Sequence, residues 1–150
     1  MDAAARTTLI TSLGQLWHGW SDLRFGQMLR EAAGEPAIRC PGDLADEAIR
    51  QGTTRALRTN PGNAPPPGPY WDTEARRGST FAHGRPRDPA RIARVLASLA
   101  RAWDAHPSLT LGQLVELALE RGGVSENEYR SRLLLIEDGT LRRLLEQLAS

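Results

Sequence analysis

Residues 95–118 read VLASLARAWDAHPSLTLGQLVELA, and residues 9–32 read LITSLGQLWHGWSDLRFGQMLREA. The two stretches align without a gap at a shift of 86 residues (95 − 9). Most apolar positions keep their class between the two, which is difficult to obtain by chance, so we predict an internal duplication. The identical positions are Ser12, Leu13, Trp17, Leu23, Gly26, Gln27 and Ala32, which recur as Ser98, Leu99, Trp103, Leu109, Gly112, Gln113 and Ala118.

Each copy predicts two helices that meet at a tight corner. The apolar residues before each tryptophan are spaced three and four apart, which is typical of one helical face. Pro107 ends the first helix of the second copy, and Thr110 with Gln113 has the spacing of a capping box that opens the next one. A glycine in a helix costs about 1 kcal/mol relative to alanine. The recurrence of Gly26 as Gly112 therefore indicates a close approach, which we assign to the preceding tryptophan.

The segments after each copy are predicted to be helical as well. We expect a helix from Asp43 to Arg58, a helix through Tyr129 and a last helix from Asp138, while the apolar run at 133–136 fits either a helix or a short strand. The predicted fold class is therefore all-α. It comprises a first helical unit (1–58), a Pro/Gly/Arg-rich connector (59–88) and a second helical unit (89–150), with the units packed face to face or held by the connector.

The connector contains most of the prolines, and its first part should be extended. Three aromatic residues, Tyr70, Trp71 and Phe81, lie within it. They either pin the segment onto the helices or form a docking motif for a partner.

The chain has a formal net charge of +1, and all nineteen of its basic residues are arginine. Six arginines against one acidic residue occupy the stretch 76–94, close to the three aromatics, which is a composition that suits phosphate contacts and base stacking. Nucleic acid is therefore a possible partner. The arginines concerned are Arg76, Arg77, Arg85, Arg87, Arg91 and Arg94.

No pattern of catalytic or metal-binding residues is present in the sequence. His18, His83 and His106 are far apart, Cys40 has no histidine near it, and no phosphate-binding or nucleophile motif occurs. We therefore expect no enzyme, no cofactor and no metal. The single cysteine, the lack of an apolar run of ~20 residues and the unsuitability of the N-terminus as a secretory signal favour the cytoplasm over a membrane or an extracellular location.

The second copy resembles a group of small uncharacterised bacterial proteins. Their shared pattern is a helix ending in Trp, a His-Pro-Asp-Leu-Arg-Leu-Gly-Gln-Leu corner and an Ile-Glu-Asp turn before a last helix. Residues 89–149 carry this pattern through Trp103, the corner 106–114 and the turn 136–138, with departures at Ser108 and Thr110, and residues 9–33 carry a partial form of it. The resemblance implies the helical fold and implies no activity.

We expect a non-enzymatic protein-interaction or adaptor module whose partner is another protein. Apolar anchors would enter a groove of the partner, and arginines would pair at the rim. The alternative is a small nucleic-acid-binding accessory protein that uses the basic segment. The expected protein-binding residues are Asp22, Leu23, Arg24, Tyr70, Trp71 and Phe81.

Overall fold

The computed structural model describes residues 1–59, 81–82, 85–86 and 88–150, with only the backbone described for 81–82 and 85–86. This part of the chain is all-α, as predicted, apart from a hairpin of two-residue strands. Its α-helices are α1 (Ala3–Gly19), α2 (Phe25–Ala33), α3 (Pro36–Arg39), α4 (Asp46–Thr59), α5 (Ala90–Ala105), α6 (Leu111–Arg121), α7 (Tyr129–Leu135) and α8 (Asp138–Ala149). Short 3-10 turns occur at Pro41–Asp43 and Glu126–Glu128. Strand β1 (Phe81–Ala82) pairs antiparallel with β2 (Arg85–Pro86).

Several helix boundaries differ from the predicted ones. The helix expected from Asp43 begins at Asp46, because Pro41–Asp43 forms a separate 3-10 turn. The short helix α3 (Pro36–Arg39) was not predicted, and it begins with proline at a first-turn position, where the missing N–H is not needed. The apolar run at 133–136 is helical up to Leu135.

The two units share one hydrophobic core. Helix α5 packs along α8 within the second unit and against α1 of the first unit. Helices α2 and α3 contact α7, and α6 contacts the turn Pro41–Asp43, so both units contribute side chains to a single cluster. Of the two arrangements left open by the sequence, the described residues show the units packed directly face to face. The duplication itself stays a prediction.

No helix in the described part of the chain is long and apolar enough to cross a membrane.

A shared core predicts a single cooperative unfolding transition. Ile49 in α4 and Leu145 in α8 are both fully buried, and replacing either by alanine should cost about 2–5 kcal/mol. Because the core is common to both units, Ile49→Ala should lower the midpoint measured by helical circular dichroism and by tryptophan fluorescence equally. Two separate midpoints in denaturant titrations of that variant would contradict a common core.

Candidate functional site

The tryptophan of each corner makes the same hydrogen bond in both copies. The Trp17 indole Nε1 donates to the Leu23 carbonyl at 2.8 Å, and the Trp103 Nε1 donates to the Leu109 carbonyl at 2.8 Å. Both rings are buried. Each indole therefore ties the end of one helix to the start of the next and fixes the angle between them.

The glutamine of each corner caps the second helix. Gln27 Oε1 accepts the Arg24 N–H at 3.0 Å, and Gln113 Oε1 accepts the Thr110 N–H at 2.9 Å. In the second copy the Thr110 hydroxyl also accepts the Gln113 N–H at 3.1 Å, which completes the predicted capping box. In the first copy the N-cap residue is Arg24.

Each corner is closed by an aspartate from the opposite unit. The Phe25 N–H, at the start of α2, donates to Asp138 Oδ1 at 2.9 Å, and the Leu111 N–H, at the start of α6, donates to Asp46 Oδ1 at 2.8 Å. The first N–H groups of a helix have no partner inside the helix. A carboxylate at this position supplies one and also interacts favourably with the helix dipole. We call Phe25 with Asp138 and Leu111 with Asp46 the two cross-closures.

The two corner glycines allow a backbone segment of the opposite unit to come close. A Cβ atom built on Gly26 would lie 1.9 Å from the Leu133 carbonyl oxygen, and one built on Gly112 would lie 1.7 Å from the Pro41 carbonyl oxygen. The predicted close approach is present, but its assignment to the tryptophan was wrong. The approaching group is a backbone carbonyl that lies shortly before the closing aspartate, at Leu133 in α7 and at Pro41 in the 3-10 turn.

Arg91 joins the first corner to α8. Its Nε donates to Asp138 Oδ2 at 2.7 Å, its Nη2 donates to the carbonyls of Ser21 and Leu23 at 2.8 and 2.6 Å, and its guanidinium lies over the Trp17 ring at 5.7 Å from the centroid. These contacts occupy the guanidinium inside the fold. The predicted phosphate contact of Arg91 stays a prediction, and these contacts within the fold weaken its basis.

Two of the predicted protein-binding residues also belong to the fold. Leu23 is fully buried in the core, and Arg24 is 7% exposed and pairs with Glu137 at 3.1 Å. Asp22 keeps part of its surface exposed. The expected docking edge at 22–24 is corrected, because its leucine and arginine hold the corner together and only the aspartate remains accessible.

The remaining predicted residues are mostly outside the described side chains. Arg94 is exposed on α5. Phe81 and Arg85 are described only as backbone of the hairpin. Tyr70, Trp71, Arg76, Arg77 and Arg87 lie outside the described residues.

An open groove runs between α6 and the turn Pro41–Asp43. Its volume is about 400 Å³, and we call it the acidic groove. The two leucines in its lining are partly buried, and its carboxylates come from both units. It is lined by Gly42, Asp43, Leu109, Gln113, Glu116, Leu117 and Glu120.

The carboxylates of the acidic groove are not balanced by arginines. Among the described residues, no ion pair involves Asp43, Glu116, Glu120 or the neighbouring Glu126. Partial burial raises the pKa of Glu116, the Gly42 N–H bond opposes this, and the other three carboxylates raise that pKa further. The groove therefore combines an apolar floor with an excess of negative charge.

A second groove of about 320 Å³ lies beside the start of α8. Leu135 lies in its lining and is 59% exposed. The other lining residues are Gly122, Val124, Arg132, Ile136, Glu137, Thr140 and Leu144. It has fewer unbalanced charges than the acidic groove, because Glu137 pairs with Arg24.

Neither groove presents a metal centre. Within residues 1–59 and 88–150, no three His, Cys, Asp or Glu side chains are placed so that they could hold a metal ion. The two histidines of these residues, His18 and His106, do not line either groove. The His106 Nε2 atom lies 3.0 Å from the Leu148 carbonyl oxygen.

No protein-family model, no curated protein and no solved structure matches this chain. The resemblance to the small bacterial proteins therefore stays a prediction from the sequence.

Alanine at the corner glycines should be strongly destabilising. Gly112→Ala and Gly26→Ala each place a methyl group in steric overlap with a backbone carbonyl oxygen. Overpacking of this kind lowers the free energy of unfolding by about 1–3 kcal/mol or more. Gly139→Ala, on the first turn of α8 with nothing within 4 Å of the added Cβ, serves as the control and should be neutral or stabilising. Equal midpoints in urea for Gly112→Ala and Gly139→Ala would disprove the close approach.

Neutralising Glu116 should stabilise the protein in a pH-dependent way. Its pKa is raised from 4.5 in the fold, so the folded state holds this proton more tightly, and stability falls as the pH rises from about 4 through the raised pKa. Glu116→Gln removes that loss, so at pH 7 its melting temperature should exceed the wild-type value by about 1–2 °C, since a partly exposed charge contributes under ~1 kcal/mol. The difference should vanish below pH 4. A difference that is constant from pH 4 to 8 would contradict this explanation.

Proposed function

We propose that this chain is a non-enzymatic protein-interaction module whose binding surface is the acidic groove. Its partner is a basic, partly apolar segment of another protein. The observation that supports this proposal is the groove itself, in which three carboxylates without described ion pairs border a floor formed by Leu109 and Leu117. A segment with leucine-like anchors and flanking arginines or lysines complements both features.

The apolar floor would supply most of the affinity. Burying one aliphatic side chain contributes about 1.5–3 kcal/mol, whereas an exposed ion pair contributes about 0–1 kcal/mol. The carboxylates would mainly set the choice of partner and speed the encounter, since opposite charges steer association. A cation near Glu116 would also relieve the repulsion from Glu120, Asp43 and Glu126 that helps to raise its pKa.

A non-enzymatic role is supported by how the polar groups of the corners are used. The buried Gln27 and Asp138 and the nearly buried Arg91 are each engaged in holding helix ends. The proposal includes a cytoplasmic location. It is supported by Cys40, the only cysteine of the sequence, which is a free thiol.

The aromatic residues of the connector stay a separate prediction. Tyr70, Trp71 and Phe81 would either dock on a partner or pin the connector, and the acidic groove does not depend on either outcome.

The nucleic-acid alternative has fewer described arginines to support it than the sequence suggested. Of its six arginines, Arg94 is described as exposed, whereas Arg91 is occupied at the first corner. The acidic groove would repel a phosphate backbone on its own face. We retain this alternative as an outcome of the binding experiment.

The test compares two variants of equal net charge. The groove variant carries Asp43→Asn, Glu116→Gln and Glu120→Gln, and the control carries Glu47→Gln, Asp88→Asn and Glu146→Gln at exposed positions outside the groove. Each loses three negative charges, so each has a formal charge of +4 (+1 + 3). The probe is a labelled amphipathic peptide of alternating Leu-Arg-Arg-Leu units, followed by fluorescence anisotropy at several salt concentrations.

The groove variant should bind the peptide at least tenfold more weakly than the wild type, while the control should stay within about threefold, since the loss follows from position and not from net charge. Equal losses of peptide affinity in both variants would show that the groove is not the binding surface. Capture from lysate, with and without nuclease treatment and with the same three proteins, extends the test to natural partners. Recovery of nucleic acid that is unaffected by the groove variant and steeply salt-dependent would favour the alternative.

A further inference from the structure

The corner of each unit is completed by the other unit. Asp138 of the second unit accepts the Phe25 N–H of the first, and Asp46 of the first accepts the Leu111 N–H of the second. The backbone carbonyls over Gly26 and Gly112 cross between the units in the same reciprocal way. Among the described residues, the aspartate that closes each corner therefore comes from the opposite unit.

Ion pairs and helix contacts cross the same boundary. Helix α1 packs on α5, α2 and α3 pack on α7, and a Cβ on Gly14 of α1 would lie 3.0 Å from Leu96 Cδ1 of α5. The ion pairs between the units are Arg6 with Asp104 (3.4 Å), Arg24 with Glu137 (3.1 Å) and Glu35 with Arg130 (2.9 Å).

We propose that this boundary is a docking surface for a second copy of the chain. The first unit of one copy accepts the second unit of another, and the two chains form an exchanged dimer. Asp138 of each copy then closes the Gly26 corner of its partner, and Asp46 closes the Gly112 corner. Every described contact across this boundary is formed again in the dimer, so the exchange costs little apart from association.

The connection between the units is long enough for a unit to pair either with the other unit of its own chain or with that of a second copy. Residues 60–87 comprise 28 residues (87 − 59), which bounds their reach at ~95 Å. A link of this length gives the two units of one chain an effective concentration on the order of millimolar. The monomer should therefore dominate at micromolar protein, and the exchanged dimer should grow as the protein concentration approaches the millimolar range.

The test makes the exchange selective by reversing charges at the boundary. The first variant carries Arg6→Asp and Glu35→Arg in the first unit, and the second carries Asp104→Arg and Arg130→Glu in the second unit. Both variants keep the formal net charge of +1, since each gains two charges and loses two. Alone, each variant faces like charges at both positions. In the exchanged heterodimer, one boundary pairs the reversed charges with each other and the other boundary has the wild-type pairs.

Equal amounts of the two variants are unfolded together in urea, refolded by dilution and held at about 100 µM. Light scattering after size exclusion should show a species of about 33 kDa, twice the 16.5 kDa of the chain. Native mass spectrometry should show that it contains one copy of each variant. The dimer fraction should exceed that of wild type, treated in the same way, at least tenfold.

A chain with all four substitutions is the matched control. It has the same altered residues but opposite charges within one molecule, so it should stay monomeric and melt above either two-substitution variant. A mixture of the two variants that stays monomeric, or that gives no more dimer than wild type or the four-substitution chain, would overturn the proposal.

A second measurement does not depend on the charge variants. A protease site inserted between Gly62 and Asn63 allows the folded wild-type chain to be cut in the connector. The two fragments should remain together as a 1:1 complex and should re-form it after separation in urea and mixing. Fragments that separate under native conditions would show that the boundary does not hold without the covalent link, which would also overturn the proposal.

Discussion

The packing of the two units depends on two backbone N–H groups, those of Phe25 and Leu111, at the first positions of α2 and α6. Neither group finds its hydrogen-bond acceptor within its own corner. The N–H groups of Phe25 and Leu111 begin buried helices, and a buried donor without an acceptor costs about 1–3 kcal/mol. Asp138 and Asp46 supply the acceptors from across the boundary. They reach these positions because glycine at 26 and 112 lets the opposite backbone approach where any side chain would collide with it. One requirement thus fixes the distance and orientation of both units.

This requirement also determines which polar residues remain for function. Arg91 pairs with the aspartate that closes the first corner and donates to two carbonyls of that corner, so its charge is compensated where it lies. Arg24 is similarly held by Glu137. Among the described residues, the carboxylates of the acidic groove form no ion pair with an arginine. Glu116 and Glu120 accept hydrogen bonds from the Gly42 N–H and the Tyr129 hydroxyl, but no arginine among the described residues neutralises their charges, so these charges are available for recognition.

The acidic groove shows why only part of the candidate site could be predicted from the sequence. Glu116 and Glu120 are one helical turn apart, so helical periodicity alone places them on one face of α6. Asp43 and Gly42 belong to the other unit and reach the groove because their turn packs on α6. Their separation from Glu116 by more than seventy positions (116 − 43 = 73) leaves no local signal. The exposure of Leu135 was missed for the same reason, since an apolar run looks alike whether or not its last residue is covered.

The sequence by itself determined the elements and their corners. Apolar spacing, the Pro107 stop and the Thr110–Gln113 box act within a few residues, so α5 and α6 could be predicted from them. Only the tertiary structure decided what the recurring glycines, the aspartates at 46 and 138, and Arg91 contact. The partners of the two cross-closures are 65 and 113 residues apart along the chain. Capping and periodicity carry no information over such distances, because that pairing is chosen by how the two units pack.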